Sequence, residues 1–288
     1  MIRTQSLTKY YGKTKGIENL DLSIEKGEIF GLLGPNGAGK TTTIRMLMGL
    51  IKPTKGSSVI DGLNCWKESV GVKKICGYIP GEVHLYPNAT GNELINVFAA
   101  VYKSKNLAND LIKRFDYDPS KKTKNLSKGN KQKLAIILAT MHRPDVLILD
   151  EPTSGLDPFM QQEFYKLLKE FEANGATILI SSHFLPEVEK VCQKVGIIRQ
   201  GGLVGIENVN DLHTKHLKIV EVTFEGKPNL EDFNIPEVKE LGHELNNHYH
   251  MKIKGNINPV IEALAKNKVK DLSFEHASLE EIFMEYYS

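Results

Sequence analysis

Two stretches of the sequence carry residue types and spacings that could do chemistry. Gly34-Pro35-Asn36-Gly37-Ala38-Gly39-Lys40-Thr41 matches the phosphate-loop pattern G-x-x-x-x-G-K-[ST]. Glycines let successive backbone N–H groups turn inward around phosphate oxygens, and a helix opening at the loop's end adds the positive end of its dipole. Lys40 is expected to reach the β- and γ-phosphates of a nucleoside triphosphate, with the Thr41 hydroxyl on Mg²⁺. Asn36, Gly37, Ala38, Gly39 and Thr42 complete the expected nucleotide-binding set. The second stretch, Val146-Leu147-Ile148-Leu149-Asp150-Glu151, is an apolar run ending in two acids. By itself it also reads as a buried strand capped by solvated carboxylates. Beside the loop it supplies what the loop lacks: Asp150 to accept from the water shell of Mg²⁺, and Glu151 to orient or deprotonate an attacking water.

These groups need a scaffold that brings them together. Residues 28–33 form an apolar run that leads into the loop, and 41–50 has helical character that stops near Gly49 and Pro53. Further short apolar runs lie at 59–60, 75–79, 146–149, 177–181 and 195–199, with helical patterns at 161–173 and 186–192. Strands alternating with helices predict a mainly parallel sheet covered on both faces. The segment from about 91 to 140 differs, with helical periodicity at 92–102, 107–115 and 129–141, and reads as a helical insert. Beyond about residue 212 the pattern changes again. Residues 219–224 alternate strictly and 248–253 more weakly, 259–266 reads as a helix, 269–274 as a strand, and 279–287 as a terminal amphipathic helix. The expected organisation is an α/β phosphate-loop domain over 1–211, with core segments 1–90 and 141–211, followed by a small α/β domain over 212–288.

Composition narrows the function classes. The 288 residues are 41% hydrophobic and 25% charged with a formal net charge of +2, so no basic field points to nucleic acid as the main partner. Lysine clusters at 121–124 and 128–133 read as solvated faces. Three scattered cysteines without metal-ligand spacing suggest reduced thiols. The N-terminal residues lack an apolar signal region, and no run approaches the roughly 18 apolar residues of a membrane span. Any membrane role is therefore expected to come through a separate partner.

With the loop and the acidic strand in place, residues 2–205 resemble the ATP-binding cassette (ABC) family. Leu126-Ser127-Lys128-Gly129-Asn130-Lys131-Gln132 resembles its signature motif, Ser154-Gly155-Leu156-Asp157 its D-loop, and His183, after Ile180-Ser181-Ser182, its switch histidine. Tyr11, directly before Gly12, resembles the aromatic that stacks on adenine, with Tyr10 as the alternative. The resemblance implies a RecA-like phosphate-loop fold with a helical subdomain, and ATP hydrolysis with Mg²⁺. It places Glu151, His183 and Lys40 in catalysis, Thr41 and Asp150 on the metal, and Ser127, Gly129, Asn130 and Asp157 in nucleotide contacts. It also implies that the signature helix of one subunit faces the γ-phosphate held by another, so that two copies sandwich two ATP molecules. Asp157 could equally cap a helix beginning near Pro158.

Two motifs depart from the family pattern. Gly81, after Gly77-Tyr78-Ile79-Pro80, stands where the family has its Q-loop glutamine, and Glu82 is a candidate substitute one position on. Lys128 and Asn130 replace a glycine and the glutamine of the signature. For Lys128 two readings are open, a cation near γ-phosphate or a solvent-facing side chain. The altered signature, the Pro80-Gly81-Glu82 loop and the run Leu279-Glu280-Glu281-Ile282-Phe283 together resemble the ABC-2-type exporter branch. The resemblance implies an ABC-2-type transmembrane subunit and a second nucleotide-binding subunit as partners, no nucleic acid, a place on the cytoplasmic face of the membrane, and a peptide cargo. A ribosome- or DNA-acting relative and a small-molecule kinase are weaker alternatives, since neither a second cassette nor a long coiled coil is present in these residues.

Overall fold

The computed structural model describes residues 1–102, 107–209, 218–243 and 246–276. Contacts divide the chain into two units, Met1–Glu207 and Asn208–Ser288.

The first unit opens with β1 (Ile2–Tyr11), β2 (Thr14–Leu20) and the short β3 (Ser23–Ile24), then β4 (Ile29–Leu33) and α1 (Lys40–Leu47). Next come β5 (Lys55–Ile60), β6 (Leu63–Asn64), α2 (Ser69–Ile75) and β7 (Cys76–Ile79). Three helices follow, α3 (Gly91–Tyr102), α4 (Ala108–Arg114) and α5 (Lys128–Thr140). The chain then alternates through β8 (Val146–Asp150), α6 (Pro158–Ala173), β9 (Thr177–Ser182), α7 (Leu185–Val191), β10 (Lys194–Arg199) and β11 (Gly202–Asn208).

The central sheet has the order β11-β10-β4-β9-β8-β7, and the pairs from β10 through to β7 are all parallel. Every residue of β4, β8 and β9 is buried, as expected of strands covered on both faces. Because these three are neighbours and run the same way, their C-terminal ends lie side by side. Ligand chemistry in open parallel sheets gathers at that edge.

The expectation of one mainly parallel sheet is incomplete. A second, antiparallel sheet has the order β2-β1-β5-β6, with β3 also paired to β1. Its buried positions include Thr4 and Thr8 as well as Ile2 and Leu7, so apolar alternation is weak. Thr4 is tolerated because its hydroxyl donates to the Leu20 carbonyl at 2.7 Å and accepts from the Leu22 N–H at 2.8 Å.

The helical insert is held by local caps and a long buried helix. Thr90 and Glu93 form a reciprocal capping box at the start of α3, with the Thr90 N–H donating to Glu93 at 2.7 Å and the Glu93 N–H to Thr90 Oγ1 at 3.2 Å. Helix α5 buries every residue from Leu134 to Thr140. Just beyond it, the buried His142 ring stacks on Tyr102 with centroids 3.7 Å apart. Burial pushes the His142 pKa down to about 4 from 6.5. Between those two values the unfolded chain binds a proton that the folded chain refuses, so stability present above pH 6.5 is lost as pH falls toward 4. Replacing His142 with Phe should flatten this component. Thermal melts across that window should show a smaller acid-induced drop in Tm for the variant than for the wild type.

In the second unit, β12 (Lys218–Phe224), β13 (Val238–His243), β14 (His248–Ile253) and β15 (Val269–His276) form an antiparallel sheet of order β13-β14-β12-β15. Helix α8 (Asn258–Ala265) contributes Val260, Ala263 and Leu264 to a core with Val220, Val222, Tyr249 and Met251. The expected helix at 279–287 lies outside the described residues.

Candidate active site

Strand β4 delivers the chain into the loop Gly34–Thr41, and α1 begins inside it at Lys40. The loop is too tightly seated for side chains at two of its glycines. A Cβ on Gly34 would lie 2.3 Å from the Ile198 carbonyl, and one on Gly39, where φ is +113°, would lie 2.5 Å from Ile17. The Gly201 N–H donates to the Ala38 carbonyl at 2.9 Å, and the Gly34 N–H to the Ser182 carbonyl at 3.2 Å, so neighbouring strand ends hold the loop. Lys40 is 5% exposed, and its ammonium donates to the carbonyls of Gly34 at 2.7 Å and Pro35 at 3.2 Å.

Strands β8 and β9 bring the acids and the histidine to the same edge. Asp150 pairs with Ser181 in register, and the Ser181 hydroxyl donates to Asp150 Oδ1 at 2.6 Å while the Glu151 N–H donates to that hydroxyl at 3.1 Å. Glu151 leaves the strand with φ +48°, an uncommon conformation for a side-chain-bearing residue, which turns its carboxylate toward the loop. Glu151 Oε1 lies 3.3 Å from Lys40 Nζ, and Oε2 lies 2.7 Å from His183 Nδ1. Lys40, Glu151 and His183, expected from separate motifs 143 residues apart, thus form one contiguous chain of contacts.

A cleft of about 430 Å³ is lined by Tyr11, Asn36, Gly37, Gly39, Lys40, Thr41, Thr42 and Glu151. Of the two tyrosines, Tyr11 lines this cleft, half-exposed, whereas the Tyr10 hydroxyl donates to Glu18 at 2.7 Å. Lys15, Gly16 and Arg45 also line the cleft and were not expected. Arg45 lies one helical turn after Thr41 and Thr42, a spacing that could have revealed it. Ser181 was missed as well, because a serine in a strand gives no hint of the acid it contacts across the sheet.

The metal assignment can be tested on the residues themselves. Asp150 is fully buried, and its Oδ2 has no hydrogen-bond partner in the protein. An unpaired buried carboxylate oxygen is costly, and a cation or its bound water is the natural partner. The residues therefore fit the expected Mg²⁺.

Gly81 faces that carboxylate directly, since a Cβ there would lie 2.9 Å from Asp150 Oδ2. Glycine at the Q-loop position leaves room that any side chain would take. Glu82 is highly exposed at the cleft rim, with its carboxylate 3.4 Å from His84 Nε2. We expect Gly81→Ala to raise the Mg²⁺ concentration for half-maximal ATPase roughly tenfold by displacing the carboxylate. A Mg²⁺ titration of turnover checks this, with metal-free nucleotide binding as the unaffected control.

The signature residues are not in the cleft. Ser127 caps α5, its hydroxyl accepting from the Asn130 N–H at 3.3 Å, and Gly129 packs so closely that a Cβ would lie 2.7 Å from the Gly155 carbonyl. Asp157 caps α6 by accepting from the Met160 N–H at 3.0 Å. Lys128 is exposed, in keeping with the solvent-facing reading, but it is not free in solvent. Its ammonium donates to Ser154 Oγ at 2.8 Å, and its stem covers Gly155, so it ties the signature to the D-loop of the same chain. Gln132 adds a buried bond to the Pro152 carbonyl at 2.5 Å.

The likeness to known proteins agrees with this geometry. The family model described as "ABC transporter" matches residues 17–154. The chain is 36% identical over 219 residues to the linearmycin resistance ATP-binding protein LnrL of Bacillus subtilis (strain 168), a match covering 74% of this chain and 70% of that protein. It is 39% identical over 226 residues to the bacitracin transport ATP-binding protein BcrA of Bacillus licheniformis, covering 77% of this chain and 74% of the other. Among solved structures, one titled "Structure of ATP binding subunit of ABC transporter" superposes with a TM-score of 0.69 at 29% identity, over 74% of this chain and 92% of that one. The phosphate loop, the acid pair at the end of β8 and the histidine at the end of β9 therefore sit in a chain that belongs to the ABC transporter family, as an ATP-binding subunit with ATPase activity.

Proposed function

We propose that this chain is the ATPase of an ABC-2-type exporter, in which two copies close around two Mg-ATP and drive a separate membrane subunit. The observation that carries the hydrolytic part is the contact chain from Lys40 through Glu151 to His183, set at one edge of the parallel sheet. Lys40 holds the β- and γ-phosphates while the loop N–H groups surround them. Glu151 takes the proton of the attacking water, and His183 fixes that carboxylate and contacts the γ-phosphate. When bound through Thr41 and Asp150, Mg²⁺ would neutralise phosphate charge. The start of α5, with Ser127, Gly129 and Asn130, offers donors to the nucleotide of the second copy, which accounts for their place outside the cleft of their own chain.

No helix among the described residues is long and apolar enough to cross a membrane, which accords with a separate membrane subunit. We place that subunit on an apolar groove of about 320 Å³ beside the Gly81 loop, lined by Tyr78, Val83, Leu85, Phe98, Tyr102 and Leu138 among others. In this reading the chain works on the cytoplasmic face of the membrane. The cargo in this reading is an amphipathic, antimicrobial-type peptide, in line with the relative named for bacitracin transport. The Asn208–Ser288 unit serves dimer contacts or regulation in this reading. Adding the polytopic protein that co-purifies in detergent should raise ATP turnover. Turnover stimulated by DNA, or co-sedimentation with ribosomes, would contradict transport.

A further inference from the structure

Glu187 lies in the first turn of α7, is 5% exposed, and belongs to none of the motifs above. Its Oε2 accepts from the Ser182 hydroxyl at 2.5 Å, and its Oε1 accepts a short hydrogen bond from the Thr153 hydroxyl. Ser182 directly precedes His183, and its Oγ also accepts from the Phe184 N–H at 3.0 Å, so it braces both sides of the histidine. Thr153 stands two residues after Glu151 and directly before Ser154 to Asp157. Helix α7 is seated on β4, because Gly31 has no side chain and a Cβ there would lie 2.5 Å from Val188 Cγ1. One buried carboxylate thus spans two segments that reach the site from different strands.

Burying an acid whose two hydrogen bonds come from hydroxyls rather than from a cation is costly, and an apolar side chain would fill the space at less cost. Burial does raise the carboxyl's pKa, against the pull of Ser182, Thr153 and His183, with Glu151 raising it further. We infer that Glu187 is a positioning residue, a latch that holds the His183 segment to the turn after Glu151 so that both arrive together at the reacting phosphate. Because Thr153 leads into Ser154 to Asp157, the same latch makes that loop move with the hydrolytic pair. The inference rests on the assignment of Glu151 and His183 to hydrolysis.

The test uses the full chain and steady-state ATP turnover. Glu187→Ala should lower kcat roughly tenfold to a hundredfold through misplacement, with KM and nucleotide affinity changed by less than about twofold. Thr153→Val and Ser182→Ala each remove one donor with little change in volume, should fold where Glu187→Ala does not, and should lower kcat in the same manner. The double variant Thr153→Val/Glu187→Ala should lose no more than the worse single one. Glu187→Gln should restore most of kcat, since its amide can accept from one hydroxyl and donate to the other. A kcat within about twofold of wild type for the donor variants, or a matching loss of nucleotide affinity, would overturn the latch. Glu151→Gln measured alongside separates the two claims. If that variant still turns over, the hydrolytic assignment fails; if it is inactive while the donor variants are unaffected, only the latch fails.

Discussion

Glu151→Gln should lower kcat for ATP by roughly a thousandfold while leaving nucleotide affinity intact, the range expected when a positioned general base is lost. The substitution keeps the shape of the side chain and its reach toward His183 Nδ1, now 2.7 Å from Oε2. It removes the carboxylate that can take a proton, and an amide cannot replace that role. Binding should survive because Lys40 and the loop amides are untouched. Removing the negative charge 3.3 Å from Lys40 Nζ also leaves that cation freer for phosphate. Phosphate release assays give kcat, and equilibrium binding of a fluorescent ATP analogue gives affinity. A variant that keeps a tenth or more of wild-type turnover, on the order of what a minor positioning defect leaves, would remove Glu151 from the chemistry.

Lys40→Met should weaken ATP binding roughly a hundredfold, about the worth of one or two hydrogen bonds to a charged group. Lys40 is buried and its ammonium already lies on the loop, donating to the Gly34 and Pro35 carbonyls. Methionine replaces the stem with a similar length of apolar chain but supplies neither donor nor charge. The fold should persist, because the loop is also held by the Gly201 and Gly34 backbone bonds. Isothermal titration with ATP, paired with a thermal melt, distinguishes lost binding from lost structure. Unchanged affinity in a folded variant would mean that Lys40 serves the loop rather than the phosphate.

The parts of the molecule that could be read from the sequence are those where local pattern and global position agree. Strands β4 and β8 are buried on both faces and read as apolar runs, β9 keeps an apolar centre at Ile178–Ile180, and the phosphate loop announces itself by its glycines. Helix α6 starts three residues before the expected 161, because Asp157 and Pro158 set its first turn chemically. Strand β1 was obscured by buried threonines, and its pairing with β5 joins residues more than forty apart. Helix α2 buries only Val72, too little to leave a periodic trace.

The site follows the same division. Lys40, Asp150 and Glu151 could be placed from their motifs, and His183 from its family context. The partners of Lys128 and Glu187 could not, since each depends on a fold that brings a distant hydroxyl alongside. A glutamate beside Pro186 looks like any first-turn acid of a surface helix; only burial shows it as a bridge. Gly81 was legible as a departure, but its reason, the Asp150 carboxylate standing where a side chain would go, came from packing.

In the proposed closed pair, one chain holds half of each working site. The solution mass of Glu151→Gln, measured by light scattering with Mg-ATP and again with Mg-ADP, tests this. A species of twice the chain mass is expected with ATP, reverting to the single chain with ADP. A protein that binds ATP and stays at the mass of one chain would contradict it.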